Sequence, residues 1–190
     1  MPPAQRREAI IDAALPLLRK HGDAVTTKQI ADAAGIAEGT IFRVFPDKDS
    51  LITAAIARVF DPAPTLAEIS RVDMGLPIRD RMKAAVDILA ERLDSVWELM
   101  SAMRMMGAPE QNARLRAALP AQPINDLLPN QLIALIAPDA DNFRVDTIQV
   151  ARVLRLVTFA GTHPRITDGD PLTSDEIVDL ILGGLRAHAP

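Results

Sequence analysis

The chain has 190 residues, of which 48% are hydrophobic, 24% are charged and only 3% are aromatic. Cysteine is absent, which excludes disulfide bonds, thiolate catalysis and zinc sites built on cysteine. The formal net charge is −4, but residues 1–60 carry eight basic and seven acidic side chains, whereas the remainder carries thirteen and eighteen. This asymmetry permits nucleic-acid contact in the first third of the chain and disfavours it elsewhere.

The sequence predicts neither a signal peptide nor a membrane-spanning segment. Asp12 interrupts the apolar run near the amino terminus, and no stretch approaches the roughly 18 uncharged apolar residues that a bilayer requires. We therefore expect a cytoplasmic protein with no membrane partner. A Gly-rich phosphate loop and an HExxH motif are both absent, so no catalytic residue, metal ligand or cofactor is predicted.

Helical periodicity begins at the amino terminus, and no alternating strand pattern or fixed repeat interrupts it. Apolar residues recur on one face between Gln5 and His21, and Gly22 is a natural stop for this first helix. Thr26 and Gln29 have the spacing of a capping box, which predicts the start of a second, short helix.

A turn and a third helix are expected next. Gly35 supplies the positive φ that closes the second helix, a third runs from Ile36 to about Phe45, and Asp47 can cap a fourth. Two short helices separated by such a turn form a helix-turn-helix, whose second helix fits the DNA major groove. Arg43 is the one side chain in that helix able to hold guanine by two parallel hydrogen bonds.

This motif resembles the amino-terminal signature of TetR-family transcriptional regulators over about the first 60 residues. The matching residues are Thr26, Thr27, Ile30, Ala31, Ala34, Gly35, Ile36, Gly39, Thr40, Ile41, Phe42, Phe45, Lys48 and Leu51. The helical remainder is similar to the family in its length and layout only.

The resemblance implies a homodimer on a pseudo-palindromic double-stranded operator, released by an unknown small effector, mainly apolar in character. It also implies that Thr27, Lys48 and the residue at Phe42 contact phosphates, while Thr40 and Arg43 face base edges or the nearby backbone. The candidate DNA-binding residues are Thr26, Thr27, Lys28, Glu38, Gly39, Thr40, Phe42, Arg43 and Lys48.

Four positions depart from the family pattern. Phe42 stands where many members have Tyr and lacks the hydroxyl that reaches a phosphate, and Val44 replaces a frequently polar residue. Ala37 replaces a capping Ser, a loss of about 1 kcal/mol. Glu38 often corresponds to a basic residue; here it would either repel phosphate or accept a hydrogen bond from cytosine.

Two prolines between Asp61 and Pro64 predict a boundary. We expect residues 1–60 to form the DNA-binding domain and residues 65–190 the ligand-binding and dimerisation domain. The second region predicts a long amphipathic helix from Ile78 that ends at Gly107 and Pro109. Its later helices are predicted over Leu127–Ala137, over Phe143–Thr162 and after a capping box at Thr173.

A stripe of Trp and Met residues on the long helix is either ordinary core or part of a ligand pocket. The candidate pocket residues are Leu93, Trp97, Met100, Met103, Arg104 and Phe159. Glycines in the last two apolar helices favour close packing at a dimer seam. The candidate dimer residues are Leu154, Val157, Gly161, Ile177, Leu180, Ile181 and Gly184.

The sequence thus predicts an all-α, TetR-like fold, with a three-helix DNA-binding domain followed by a helical ligand-binding and dimerisation domain. The predicted function is a ligand-responsive repressor rather than an enzyme. The alternative is a helical small-molecule-binding or adaptor protein that has lost sequence-specific DNA binding, an interpretation that Glu38 and Phe42 favour.

Overall fold

The computed structural model describes residues 2–104, 113–120 and 124–185. Within these ranges the chain forms ten α-helices, joined by turns and two short 3-10 segments. The helices are α1 Pro3–His21, α2 Thr27–Ala33, α3 Glu38–Ile41, α4 Lys48–Phe60, α5 Ala63–Ile69, α6 Ile78–Ala102, α7 Ala113–Ala118, α8 Ile124–Ile136, α9 Thr147–Thr162 and α10 Ser174–Leu185. No helix within these ranges combines the length and the apolar character needed to cross a membrane.

Side-chain caps set the start of several helices. The capping box predicted before α10 is confirmed: Thr173 Oγ1 accepts a hydrogen bond from the Glu176 N–H at 3.2 Å, and Glu176 Oε2 accepts one from the Thr173 N–H at 2.8 Å. Asp146 caps α9 by accepting from the Gln149 N–H at 2.7 Å. This cap explains why α9 begins at Thr147 and not at Phe143.

Two other helix ends differ from the sequence prediction. The long helix α6 ends at Ala102, before Gly107 and Pro109, which lie outside the described residues. Helix α8 begins at Ile124 and continues through Pro129. Pro129 is the sixth residue of α8, so it lacks the N–H that would donate to the carbonyl of residue 125, and packing of the helix must offset this loss.

The described residues separate into two compact units. The first unit comprises Met1–Asp61 and Ser95–Ala121, and the second comprises Pro62–Asp94 and Gln122–Pro190. Helix α6 is divided between them, since its residues up to 94 count with the second unit and those from 95 with the first. The sequence offered no sign of this return of the chain to the first unit.

The core of the first unit lies among α1, α2, α3 and α4. Leu99 and Met103, at the end of α6, and Ala118 in α7 complete it. Its fully buried members are Ala14, Leu18, Val25, Ile30, Ile41, Leu51, Ile52, Ala55 and Ile56. Each buried aliphatic side chain contributes about 1.5–3 kcal/mol relative to its exposed state, so these residues hold the helix-turn-helix in place.

A glycine allows the end of α1 to approach the end of α6 within the first unit. Gly22 has φ +56°, and a Cβ atom built on it would lie 2.3 Å from the carbonyl oxygen of Ala102. Any larger residue at this position would force two backbone segments apart. The tail of α6 is therefore part of the first unit through backbone contact as well as through Leu99 and Met103.

The second unit packs α5, the first part of α6, α8, α9 and α10 around its own core. The fully buried members include Met82, Ala85, Leu132, Ile136, Val150, Leu154, Ile177 and Val178. Arg81 is only 3% exposed; it donates to the Leu135 carbonyl at 3.0 Å and pairs with Asp139. This buried guanidinium ties α6 to the carboxyl end of α8.

A surface cluster of ion pairs ties α6 to α10 in the second unit. Arg79 binds Asp175 at 2.9 Å and also pairs with Asp179, and Lys83 pairs with Asp175. The hydrogen bond from Lys83 is the main reason that the pKa of Asp175 lies below its ordinary value. The same contact raises the pKa of Lys83.

Candidate nucleic-acid interface

The helix-turn-helix is built from α2, a glycine turn and α3. The capping box before α2 is present as predicted: Thr26 Oγ1 accepts from the Gln29 N–H at 3.2 Å, and Gln29 Oε1 accepts from the Thr26 N–H at 2.8 Å. Gly35 has φ +66°, and the following Ile36 N–H donates to the Ala31 carbonyl at 3.0 Å. This bond closes α2 and directs the chain into α3.

The third helix is shorter than predicted. Regular α-helix ends at Ile41, and the chain continues through turns, with the Val44 N–H donating to the Ile41 carbonyl at 2.9 Å. Ala37 precedes α3 and provides no side-chain cap, as its methyl group dictates. Below this segment, Ile41 and Phe45 are buried in the core of the first unit. The Arg7 guanidinium lies 5.1 Å from the centre of the Phe45 ring and covers its outer side.

The candidate DNA-binding residues lie around these two helices in the first unit. Thr27, Thr40 and Lys48 are half-buried. The others are exposed, namely Thr26, Lys28, Glu38, Gly39, Phe42 and Arg43. Phe42 has half of its surface in water, a costly position for an aromatic ring unless a partner covers it. A Cβ atom on Gly39 would meet nothing within 4 Å, so the backbone there is open to close approach.

Two hydrogen bonds hold this surface together. Thr27 Oγ1 donates to Glu38 Oε1 at 2.5 Å, which links the first turn of α2 to the first residue of α3. Lys48 Nζ donates to the Asp23 carbonyl at 2.7 Å and leaves two of its protons for other acceptors. The sequence pattern gave no indication of either contact, because both partners come from separate elements.

A side-chain cap sets the start of α4, the helix that carries Lys48. Asp47 accepts a hydrogen bond from the Ser50 N–H at 2.7 Å, which confirms the predicted cap. Hydrogen bonds from Ser50 lower the pKa of the Asp47 carboxyl below its ordinary value. Asp47 therefore caps the first turn of α4, in which Lys48 is the first residue.

Residues 10–55 match the model for bacterial regulatory proteins of the tetR family. The helix-turn-helix region of the chain is therefore similar to that of the tetR family. The chain is 43% identical over 58 residues to the HTH-type transcriptional repressor KstR of Rhodococcus jostii strain RHA1; the match covers 30% of this chain and 27% of that relative. The chain thus spans less than a third of that relative's length.

Solved structures share the fold across nearly the whole chain. The fatty acid degradation regulator FadR from Bacillus halodurans is 20% identical, with 96% of this chain and 97% of that chain covered and a TM-score of 0.61. A TetR family transcription regulator from Marinobacter aquaeolei VT8 is 17% identical, with 96% of both chains covered and a TM-score of 0.53. These likenesses extend the TetR-like all-α fold to the helical remainder.

The six candidate ligand-pocket residues are divided between the two units. Met103 is buried in the core of the first unit, with Met100 packed against that core. Trp97 is half-buried and Arg104 is exposed, and both belong to the first unit. Leu93 and Phe159 belong to the second unit. Of the Trp and Met stripe, Met103 therefore belongs to the core of the first unit and Met100 packs against it.

A cavity of about 430 Å³ in the first unit contains two of these six residues, Met103 and Arg104. Its other lining residues are Arg19, Lys20, His21, Gly22, Asp23, Ala24 and Ala102. Because most of its side chains are charged or polar, this cavity does not have the chemistry expected for a mainly apolar effector.

The candidate dimer residues divide between the interior and the surface of the second unit. Leu154, Ile177 and Ile181 are buried in its core, and Val157 packs against it. A Cβ atom on Gly161 would lie 3.1 Å from Leu172, so this glycine serves packing within the protomer. Of the seven residues, only Leu180 and Gly184 lie on an exposed face.

Helices α9 and α10 also expose large apolar residues, of which sequence reasoning missed Ile148 and Leu156. Ile148, Leu156 and Phe159 are 62%, 47% and 42% exposed, and Leu180 on α10 is 61% exposed. Their spacing on α9, eight and three residues apart, places them on one side of the helix. The signal was present in the sequence, because α9 is apolar on two faces and a single buried face accounts for only one of them.

Proposed function

We propose that the chain is a DNA-binding transcriptional regulator, a repressor in its simplest form, that inserts α3 and the following turn into the major groove of an operator. The observation that supports this most directly is the exposed polar surface formed by α2 and α3, with Arg43, Lys28 and Thr40 around Gly39. The relative from Rhodococcus jostii is an HTH-type transcriptional repressor, which agrees with this proposal.

In this proposal the side chains divide the work of recognition. Arg43 donates two parallel hydrogen bonds to guanine, which is worth about 1–3 kcal/mol of discrimination against other bases. Lys48 neutralises a phosphate beside the groove and positions the protein without reading sequence. The protein carries only a few cations on this surface, so its affinity depends on good base contacts more than on charge.

The test is a mobility-shift assay with DNA from upstream of the chain's own coding region, at about 50 and 200 mM salt. We expect a shift that weakens as salt rises. Arg43→Ala should relax base preference, whereas Lys48→Ala should weaken binding to all sequences alike and lower the salt slope by about one. Arg144→Ala, which removes an exposed charge in the second unit, is the matched control.

Two results would contradict the proposal. Failure to shift any DNA at low salt would favour the alternative, a helical binding or adaptor protein without DNA contact. Equal loss of binding on every sequence for Arg43→Ala would remove its base-reading role.

We also propose that the operator-bound form is a homodimer joined through the exposed face of α9 and α10, defined by Ile148, Leu156, Phe159 and Leu180. A second copy presents the same apolar face, so the two would bury each other around a two-fold axis. Two recognition helices related in this way would reach major grooves about 34–36 Å apart on a pseudo-palindromic site. Gly183 and Gly184, both exposed, leave room for close approach beside Leu180.

Release by a small, mainly apolar effector is proposed on the strength of the family alone. An effector would act only through unequal affinity for the DNA-fitting and non-fitting states of the dimer. Mass spectrometry of small molecules that purify with the full chain would test this, and an extract that is identical with and without the protein would speak against a tightly held effector.

A further inference from the structure

Glu38 places a carboxylate among the cations of the surface around α3. Glu38 is exposed and begins α3, and it shares this surface with the basic residues Lys28, Arg43 and Lys48. A carboxylate placed against DNA is repelled by the phosphates and therefore lowers affinity for every sequence. Such a residue is tolerable at a DNA interface when it accepts a hydrogen bond from a base.

The structure holds Glu38 in a defined position. Thr27 Oγ1 donates to Glu38 Oε1 at 2.5 Å, and Thr27 is half-buried in the first turn of α2. This bond uses one of about four acceptor sites on the carboxylate, so most of its accepting capacity stays available. Since Thr27 is the donor, its hydroxyl is engaged with Glu38 before any phosphate is present.

The major groove offers few donors to such an acceptor. Guanine presents acceptors at O6 and N7, and thymine presents an acceptor at O4 beside a methyl group. Adenine has an amino donor, but its N7 acceptor lies next to that donor and repels a carboxylate. Cytosine presents its N4 amino group with an acceptor on one side only, the O6 of the paired guanine, whereas the adenine amino group lies between its own N7 and the O4 of the paired thymine. A carboxylate therefore selects cytosine.

We propose that Glu38 reads a cytosine in each half-site of the operator and that Thr27 is the positioning residue that holds its carboxylate. This inference rests on the proposed DNA binding and names one base that the operator must contain. Because Glu38 also repels phosphate, it lowers binding to DNA without the cytosine, so it raises the ratio of specific to non-specific affinity.

The experiment is selection from a randomised double-stranded DNA library with the full chain, followed by affinity measurements on defined duplexes. Wild-type protein should enrich a cytosine at one position of each half-site. Glu38→Gln keeps an acceptor for Thr27 but loses the charge, and an amide pairs with adenine through its N6 and N7. The variant should therefore prefer adenine at that position, a change of roughly 10- to 100-fold in the affinity ratio of the two duplexes.

Three further variants sharpen the result. Thr27→Val should reduce the cytosine preference and Thr27→Ser should restore it, because only the hydroxyl positions the carboxylate. Glu91→Gln removes an equal charge from an exposed site in the second unit and should leave the selected sequence unchanged.

The outcomes separate the two proposals. If wild-type protein enriches no sequence at all, the proposed DNA-binding function fails, and this inference fails with it. If it enriches an operator whose bases are the same for Glu38→Gln, the operator stands and the base-reading role of Glu38 is overturned. Thr27→Val with an undiminished cytosine preference would overturn the positioning role alone.

Discussion

The two units of the chain leave surfaces of opposite character in water. Around α2 and α3, the first unit exposes hydroxyl groups, cations and the carboxylates of Asp32 and Glu38, and a hydrogen bond joins Thr27 to Glu38. On α9 and α10, the second unit exposes a row of large apolar side chains. Polar side chains can form hydrogen bonds with DNA, whereas an exposed apolar face is typical of a protein–protein interface.

The cores of the two units differ in a second respect. The first unit closes through backbone contact at Gly22 and through side chains from the tail of α6, which lies far away in sequence. Both units have ion pairs on the surface, Arg19 with Glu98 and Arg58 with Glu8 in the first and Arg79 and Lys83 with Asp175 in the second, but the second also has the buried guanidinium of Arg81 paired with Asp139. Three substitutions examine these contrasts, and the largest expected effect comes first.

Phe159→Glu should separate the proposed dimer. An isologous interface contains each residue twice, and each buried phenylalanine is worth about 1.5–3 kcal/mol, so the dimer Kd should rise on the order of 1,000-fold. Analytical ultracentrifugation over a concentration series would measure this. Leu76→Glu changes an exposed apolar residue that belongs to neither α9 nor α10, in the turn before α6, and is the control. Equal self-association of both variants would show that a different surface is used.

Gly22→Ala should destabilise the first unit strongly. The added methyl group meets the Ala102 carbonyl and the residue must keep φ +56°, which together cost about 3–5 kcal/mol. Gly35→Ala shares the positive φ but meets no atom within 4 Å, so it should cost only about 1–2 kcal/mol. Gly39→Ala has neither problem and should be neutral or slightly stabilising.

Urea unfolding followed by the fluorescence of Trp97 would rank these variants. Trp97 is the single tryptophan of the chain and belongs to the first unit, so its signal reports on that unit. If Gly22→Ala and Gly35→Ala lowered the unfolding free energy by similar amounts, the clash of the added methyl group with Ala102 would cost nothing beyond the unfavourable positive φ.

Lys83→Met should give the smallest effect, and one that depends on pH. The lowered pKa of Asp175 stabilises the fold above the ordinary carboxyl value of 3.8, and this contribution is lost as the pH falls through the lower folded value. The raised pKa of Lys83 stabilises the fold below 10.5, and this contribution is lost as the pH rises through the higher folded value. The difference in unfolding free energy between wild type and variant should therefore be greatest between these limits.

Salt gives a second check on the same cluster. Exposed ion pairs are screened, so the difference between wild type and Lys83→Met should shrink as sodium chloride is raised. Lys20→Met removes an exposed lysine from the first unit and should show no such dependence. A difference that is constant from acid to alkaline pH would assign the effect to packing of the lysine stem instead.

Local sequence patterns were enough to predict the helical class and most helix starts. Thr26 with Gln29, Asp47, and Thr173 with Glu176 each use contacts within three residues, so spacing alone reveals the cap. Gly35 likewise marks the turn of the helix-turn-helix, because a positive φ is a local property of the backbone. The residues of the candidate DNA-binding surface follow from these local signals.

Contacts between elements distant in sequence were decided by the tertiary structure. Thr27 reaches Glu38 across eleven positions, and Gly22 meets Ala102 across eighty, and no periodicity encodes either pairing. The same holds for the faces of α9: an apolar residue is a candidate for the core or for an interface, and only packing against α8 and α10 separates Leu154 from Leu156. Hydrophobic attraction has no direction, so the chain's composition sets how much apolar surface is buried, while the fold sets which residues remain outside.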